Sequence, residues 1–203
     1  MKIGIVNSSI GNVGSVYSAF EFYGYEVSLI NSPHELKAVN LIVLAGVGNF
    51  SMAVSKLKEL KLWDKINREV TVNKKPVLGI CLGMQLFADK SYEDGESDGF
   101  GWINGNVVKL DNAILRVPHI GWDEVEVFDR KLFKGVRYNN FYFMHSYHFI
   151  PKNPKVIISY INCGDSRIVS AVRQDNIIGV QFHPEKSQGD GLRFLKNVVE
   201  TFA

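Results

Sequence analysis

The sequence has few cysteines, little net charge and no long apolar run, and each shortage excludes a class of protein. Its 203 residues include only Cys81 and Cys163, too few for a disulfide framework, which favours a reduced, cytoplasmic protein. A net charge of +2 is too small for a protein that holds nucleic acid or an anionic membrane by charge. No apolar stretch approaches the roughly 18 residues of a membrane span, and the short run after Met1 predicts no secretory signal.

Metal-site spacings are also missing, because neither a Cys-x-x-Cys nor a His-Glu-x-x-His motif occurs, and we expect no metal. The composition itself is ordinary for a globular protein, with 46% hydrophobic and 22% charged residues, which excludes a disordered chain. The length fits a single domain over residues 1–203.

Strand-like and helix-like patterns alternate through the first half of the chain. Apolar runs rich in β-branched residues predict strands at 2–6, 26–30, 41–44 and 77–80. Helical spacing of apolar residues predicts helices at 11–23, 51–60 and 63–72. After a polar loop at 91–105, short strand-like pieces follow one another until an amphipathic helix closes the chain. The predicted fold is α/β, a three-layer open and mostly parallel sheet with antiparallel strands added in the second half.

The most informative stretch surrounds Cys81. A strand-like run ends there and a helix-like run begins at Leu82, with Gly79 and Gly83 on either side in the pattern of a nucleophile elbow. Two glycines let the strand and the helix approach around one tight turn, which places the thiol near a helix N-terminus, where the thiolate is favoured. The backbone amide of Leu82 would face the same space and donate to an oxyanion. The alternative interpretation of Cys81 is a small apolar residue buried in the core.

A nucleophilic cysteine needs a base, and His183 fits best among the five histidines. It ends an apolar run, and Pro184 biases it toward an extended backbone. Residues two apart in an extended segment point to the same side, so we expect Glu185 to reach one ring nitrogen and leave the other for the thiol. Because the carboxyl ends of parallel strands share one edge of a sheet, Cys81 and His183 are expected to be neighbours. The alternative interpretation is a polar surface histidine or a core histidine whose hydrogen bonds are satisfied.

Two motifs together, Gly79-Ile80-Cys81-Leu82-Gly83 and His183-Pro184-Glu185, resemble the class I (triad) glutamine amidotransferases. The segment Leu44-Ala45-Gly46-Val47-Gly48 resembles the oxyanion loop of that family. Two further segments, Pro118-His119-Ile120-Gly121-Trp122 and His145-Ser146-Tyr147, resemble one branch of the family, the glutaminase subunits of imidazole glycerol phosphate synthase. The resemblance extends over essentially the whole chain and implies the family fold.

The resemblance also implies a glutaminase reaction that needs no cofactor. The Cys81 thiolate attacks the side-chain amide of glutamine, His183 transfers protons, Glu185 holds the histidine, and water hydrolyses the thioester after ammonia has left. Backbone amides at the oxyanion are expected from Val47, Gly48 and Leu82. Substrate glutamine is expected to contact Gln85, Glu93, His145, Ser146 and Tyr147.

A partner is implied as well, because in this branch ammonia passes to a (β/α)8-barrel cyclase subunit. There it is used to form imidazole glycerol phosphate and aminoimidazole carboxamide ribotide in histidine biosynthesis. Trp122 and Tyr142 are candidates for the interface of this heterodimer, with core packing as the alternative interpretation.

The first loop departs from the family pattern, since Asn7-Ser8-Ser9-Ile10 stands where Asp-Tyr-Gly usually precedes the Gly-Asn pair. This departure keeps open a paralogous glutaminase that supplies ammonia for acetamidino sugars of bacterial surfaces. Two hypotheses from other classes are a catalytically idle regulatory module and a stand-alone cysteine hydrolase or peptidase. The complete set of triad residues argues against the idle module, and the branch-specific segments argue against the hydrolase.

Overall fold

Alternating strands and helices form the first part of the chain, as their apolar patterns predict. The computed structural model describes residues 1–7 and 13–203, so the start of the first helix at Gly11 and most of the altered first loop lie outside the described residues. The elements are β1 (Lys2–Val6), α1 (Val13–Glu21), β2 (Glu26–Ile30), a 3-10 helix (Pro33–Ala38), β3 (Leu41–Gly46), α2 (Phe50–Glu59), α3 (Trp63–Thr71), β4 (Val77–Cys81) and α4 (Leu82–Gln85).

The second part consists mainly of strands and ends in a helix. Its strands are β5 (Lys90–Ser91), β6 (Ser97–Asp98), β7 (Gly105–Lys109), β8 (His119–Val127), β9 (Asn140–His145), β10 (Tyr147–Pro151), β11 (Ile157–Cys163), β12 (Ser166–Gln174) and β13 (Ile177–Val180). Two 3-10 helices, Pro154–Val156 and Pro184–Lys186, precede the last helix, α5 (Gln188–Phe202).

Among the described residues, nine strands form one sheet in the order β2-β1-β3-β4-β13-β12-β11-β8-β9. The five strands from β2 to β13 are parallel, and the four beyond β13 are antiparallel. The predicted α/β fold with antiparallel additions is therefore confirmed. Strand β13 lies beside β4 with Val180 opposite Ile80, so the residues that follow β13 emerge next to Cys81.

The large sheet separates two hydrophobic cores, which accounts for the three layers. Alternate residues of β3 point to opposite faces, with Val43 in one core and Leu44 in the other. Helices α1 and α5 cover the first face, and helices α2 and α3 cover the second. Because both faces are covered, the central parallel strands are continuous apolar runs rather than alternating ones.

The region 91–105 departs from the predicted polar loop. It contributes β6 and the beginning of β7 to a smaller sheet with the order β10-β7-β5-β6. Its short strands have no strong apolar pattern, because they are held by backbone pairing to β5 and β10 rather than by a buried face. Phe100 anchors the region by stacking between Trp63 and Trp102, with ring centroids 3.7 Å and 4.2 Å away.

Candidate active site

Cys81 occupies a sharp turn between β4 and α4. Its φ of 53° and ψ of −109° are seldom adopted by a residue with a side chain, and such strain costs about 1–3 kcal/mol. The residue is 5% exposed and borders a cleft at the edge of the large sheet. The helix predicted to begin at Leu82 is present, and Cys81 is its N-cap residue, but α4 is a single turn and its dipole is therefore small.

Gly79 and Gly83 permit this turn by allowing backbone segments to touch. A Cβ atom on Gly83 would lie 1.8 Å from the carbonyl oxygen of Leu44, and one on Gly79 would lie 2.7 Å from the backbone of Gly83. Neither approach is possible for a residue with a side chain. The two glycines therefore set the close packing of α4 against β3 and β4 that turns Cys81 toward the cleft.

His183 and Glu185 form a buried pair at the same edge of the sheet. His183 Nδ1 lies 2.8 Å from Glu185 Oε1, which is the predicted contact. The predicted extended backbone is present at His183 but not at Glu185. Glu185 lies in a 3-10 turn opened by Pro184, whose fixed φ suits the first position of a helical turn. His183 Nε2 is buried without a hydrogen-bond partner among the described residues, which leaves it as the nitrogen for a thiol or substrate proton.

The electrostatics of this pair favour a protonated imidazole. Burial lowers the pKa of His183, but interactions with the Cys81 sulfur and the Glu185 carboxylate outweigh burial and raise the pKa to about 10. A positive His183 in turn stabilises a negative sulfur at Cys81, because opposite charges favour each other's ionised form. The arrangement can therefore hold a thiolate next to a proton donor.

The cleft beside Cys81 contains the residues that the resemblance assigns to the oxyanion and the substrate. The residues expected at the oxyanion or the substrate, together with Cys81, all line this cleft: Val47, Gly48, Cys81, Leu82, Gln85, Glu93, His145, Ser146 and Tyr147. Glycine is required at position 48, where φ is 120°. Gly46, the last residue of β3, pairs with Cys81, so the loop after it begins beside the thiol.

Glu93 is attached to the segment that comes after the oxyanion loop. Its Oε2 accepts a 2.7 Å hydrogen bond from the Phe50 amide, and the Asn49 side chain donates a 2.9 Å hydrogen bond to Asp94. Burial raises the pKa of Glu93, the Phe50 amide opposes this, and the charge of Asp94 adds to it. The acidic loop and the start of α2 are thereby held together across the mouth of the cleft.

Trp122 and Tyr142 lie outside the core, on neighbouring positions of β8 and β9. Trp122 is 43% exposed and Tyr142 is half-buried, with their ring centroids 6.0 Å apart. The core-packing interpretation is therefore wrong for Trp122. The Tyr142 carbonyl accepts a 2.8 Å hydrogen bond from the His183 amide, which places this aromatic pair directly beside the candidate base.

Several residues of the site were not predicted from the sequence. Most are sequence neighbours of predicted ones and line the same cleft, namely Asn49, Asp94, Pro118 and Met144. Gln181 is different, because it is fully buried and its Nε2 lies 3.5 Å from the Cys81 sulfur. The available signal was a polar side chain inside the apolar run that ends at His183.

Comparison with known proteins identifies the family of this site. Residues 5–201 match the family model for glutamine amidotransferase class I. The chain belongs to the class I glutamine amidotransferases. The imidazole glycerol phosphate synthase subunit HisH of Pyrococcus furiosus is 43% identical to it over 97% of each chain. That of Pelagibacter ubique is 38% identical over 97% of this chain and 98% of the relative.

Solved structures of amidotransferases share the fold. A crystal structure of a glutamine amidotransferase superposes with a TM-score of 0.77 over 98% of each chain, at 19% identity. The amidotransferase chain is accordingly an enzyme of glutamine chemistry in the HisH group, whose members are named as subunits and so imply a partner subunit. Within residues 1–7 and 13–203, no three or more His, Cys, Asp or Glu side chains are grouped to hold a metal ion. No helix in this described part is long and apolar enough to cross a membrane.

Proposed function

We propose that Cys81, His183 and Glu185 are the catalytic triad of a glutaminase. The observation that carries the proposal is the strained Cys81 elbow, which borders the cleft beside the buried His183–Glu185 pair. The Cys81 thiolate attacks the side-chain amide carbon of glutamine and forms a tetrahedral oxyanion. Protonated His183 gives its Nε2 proton to the leaving nitrogen, and the C–N bond breaks to release ammonia and a thioester. His183 then takes a proton from water, whose attack releases glutamate and regenerates the thiolate.

Backbone amides at the elbow and the neighbouring loop stabilise the oxyanion in this proposal. Leu82 is the first residue of α4, and Val47 and Gly48 follow the strand residue that pairs with Cys81. Amide groups at fixed positions near a buried reaction centre stabilise developing negative charge without reorganising solvent. Gly48 has a positive φ, a backbone conformation that would be strained in a residue with a side chain.

The lining of the cleft fits an amino-acid substrate. Glu93 supplies a carboxylate for the α-ammonium group, and Ser146 and Tyr147 supply polar groups for the α-carboxylate. Gln85 donates both amide hydrogens to protein acceptors, to the Tyr147 carbonyl at 2.8 Å and to another buried glutamine at 3.1 Å, so it meets substrate with its amide oxygen. His145 closes the inner wall of the cleft.

The proposed partner is a (β/α)8-barrel cyclase that uses the ammonia to form imidazole glycerol phosphate in histidine biosynthesis. HisH relatives support this pathway, because they are named as subunits of the synthase that carries out that step. The exposed Trp122 and half-buried Tyr142 provide an aromatic contact surface directly behind the His183 backbone. A partner docked there would sit close to where ammonia is released.

We also take residues 1–203 as one glutaminase domain. A cytoplasmic location fits the two free cysteines, Cys81 and Cys163.

The test measures glutamate released from glutamine by the chain alone and with the barrel cyclase of the same organism. We expect strong stimulation by the partner and formation of imidazole glycerol phosphate from the ribonucleotide substrate. Cys81→Ala abolishes glutamine-dependent synthesis but leaves synthesis from free ammonia intact, whereas the matched control Cys163→Ala retains both. Stimulation without that product would instead favour the surface-sugar pathway. No glutamate under any condition would refute the glutaminase and favour an idle module.

A further inference from the structure

The Cys81 sulfur has a hydrogen-bond donor that the triad does not use. Gln181 follows β13 directly, is fully buried, and places its amide nitrogen 3.5 Å from the sulfur. Its backbone amide donates a 2.8 Å hydrogen bond to the Ser170 carbonyl, so the residue continues the pairing of β13 with β12. The position of this side chain is therefore set by the sheet rather than by a mobile loop.

Neighbouring hydrogen bonds determine which end of the Gln181 amide faces the sulfur. Its Oε1 lies 3.1 Å from Gln85 Nε2, and Gln85 Nε2 lies 2.8 Å from the Tyr147 carbonyl. A carbonyl oxygen can only accept, so Gln85 must present its nitrogen to Tyr147. Gln85 then donates its second hydrogen to Gln181 Oε1, which turns the Gln181 nitrogen toward the sulfur.

Two histidines extend this chain toward the surface. His145 Nδ1 donates to the same Tyr147 carbonyl at 2.9 Å, and His145 Nε2 lies 3.0 Å from His119 Nδ1. Burial and the charges of other histidines lower the pKa of His145, and the hydrogen bond to Tyr147 only partly opposes them. The resulting pKa of about 3 means that the ring is neutral at neutral pH. A neutral ring with a proton on Nδ1 accepts at Nε2, which makes His119 the donor.

The orientation of the His119 ring is set by its second contact. His119 Nε2 lies 2.6 Å from Asp123 Oδ2, and Asp123 is partly exposed. His119 Nδ1 carries the proton that points to His145, and Nε2 on the other side of the ring faces the Asp123 carboxyl group. The chain thus begins at the contact between Asp123 and His119, and each later hydrogen bond has one allowed direction up to the Cys81 sulfur.

We propose that Gln181 is a further catalytic residue, which donates a hydrogen bond to the Cys81 thiolate, and that the chain from Asp123 through His119 and His145 to Gln85 positions this donor. The inference deepens the proposed glutaminase, because it rests on Cys81 being the nucleophile. A hydrogen bond to a charged acceptor is roughly twice as strong as a neutral one, so removing it makes the thiolate markedly less stable.

The thiolate can be measured without substrate or partner. In a Cys163→Ser background, the rate of Cys81 alkylation by iodoacetamide is followed by intact mass across pH. The ionisable groups that face the sulfur or line its cleft include the buried His183–Glu185 pair, His145 at the end of β9, Tyr147 in β10, and Glu93 and Asp94 across the cleft. None of them is changed in the Gln181→Met variant, which keeps the side-chain volume but has no N–H donor. We expect the alkylation profile to be displaced toward higher pH by about one pH unit, so that the rate at a fixed pH on its rising limb falls about tenfold.

Matched variants separate this role from general packing. Gln174→Met replaces a half-buried glutamine at the end of β12, away from the sulfur, and is expected to leave the profile unchanged. His119→Leu removes the donor to His145 and should slow alkylation. His119→Asn should restore it, because the Asn amide nitrogen takes the place of His119 Nδ1.

A second test uses the wild-type protein, so it does not depend on whether a variant folds. Nitrogen-15 NMR of the histidine rings at neutral pH should show a proton on His119 Nδ1 and a neutral His145 with its proton on Nδ1. A His119 ring without a proton on Nδ1, or a Gln181→Met alkylation profile identical to that of the parent, would overturn the proposal. If the alkylation profile moves as expected while glutamine is not hydrolysed even with the partner, the hydrogen-bond chain stands and the glutaminase proposal fails.

Discussion

Replacing Glu185 with glutamine tests how the candidate base is held. In the wild-type protein, Glu185 Oε1 lies 2.8 Å from His183 Nδ1. Glutamine matches glutamate in size and keeps an oxygen acceptor for Nδ1, but it removes the negative charge. Burial opposes protonation of His183, yet the Cys81 sulfur and Glu185 together raise its pKa from 6.5 to about 10. At about 1.4 kcal/mol for each pH unit, that rise corresponds to about 5 kcal/mol in favour of the protonated ring.

Glu185→Gln removes one of the two groups that supply this energy and permits the wrong ring tautomer. We expect glutamine hydrolysis to fall by about two to four orders of magnitude, as when the orienting carboxylate of a catalytic triad is replaced by its amide. The assay is glutamate release at saturating partner. The control Glu59→Gln removes an exposed carboxylate paired with Lys56 and should change the rate less than about twofold. Activity of Glu185→Gln within about threefold of wild type would refute the proposed role.

The same variant has a defined pH dependence of stability. Because the folded-state pKa of His183 is raised above its unfolded value of 6.5, its stabilisation is complete below that pH and is lost as pH rises through about 10. The difference in unfolding free energy between wild type and Glu185→Gln should therefore be largest near pH 6 and shrink toward pH 10. Urea unfolding at several pH values measures it, and a difference constant with pH would contradict the charged histidine.

Two further predictions concern the fold. Gly83→Ala forces a Cβ atom to within 1.8 Å of the Leu44 oxygen and should abolish activity or folding, whereas Gly189→Ala, with no atom within 4 Å, should melt within a few degrees of wild type in calorimetry. Glu69 is buried, which raises its pKa, but Asn73 and two lysines lower it to about 2. Glu69→Gln should therefore cost up to about 3 kcal/mol at pH 7 in urea unfolding, and less as pH falls from 4.5 through 2; an equal cost at pH 3 would contradict this.

The elbow at Cys81 and the contact between His183 and Glu185 could be predicted from the sequence because local backbone chemistry defines them. Only glycine fits at positions 79 and 83, and Pro184 limits its own backbone and that of His183 before it. The order of strands and helices is equally local, since it depends on the periodicity of apolar residues. For these features, residues near one another in the sequence contain most of the physical constraint.

Other features depend on contacts between distant segments. Strands β5 and β6 of the smaller sheet are two residues each and are held by backbone pairing, which leaves no apolar pattern in the sequence. Helix α4 stops after one turn, and the carbonyl of its C-cap residue, Leu86, accepts a hydrogen bond from the Phe100 amide rather than from a further helical turn. Residue type alone did not predict whether Trp122 would be exposed or buried.

Gln181 shows this dependence most directly. Its role rests on a sulfur 100 positions away in the sequence and on a chain of hydrogen bonds that joins β8, β9, β13 and α4. Hydrogen-bond direction is a property of atoms brought within about 3 Å of one another, and sequence spacing contains no such information. The proposed nucleophile and base could therefore be inferred from the sequence, whereas the donor that we propose for the thiolate depends on strands that only the folded sheet brings together.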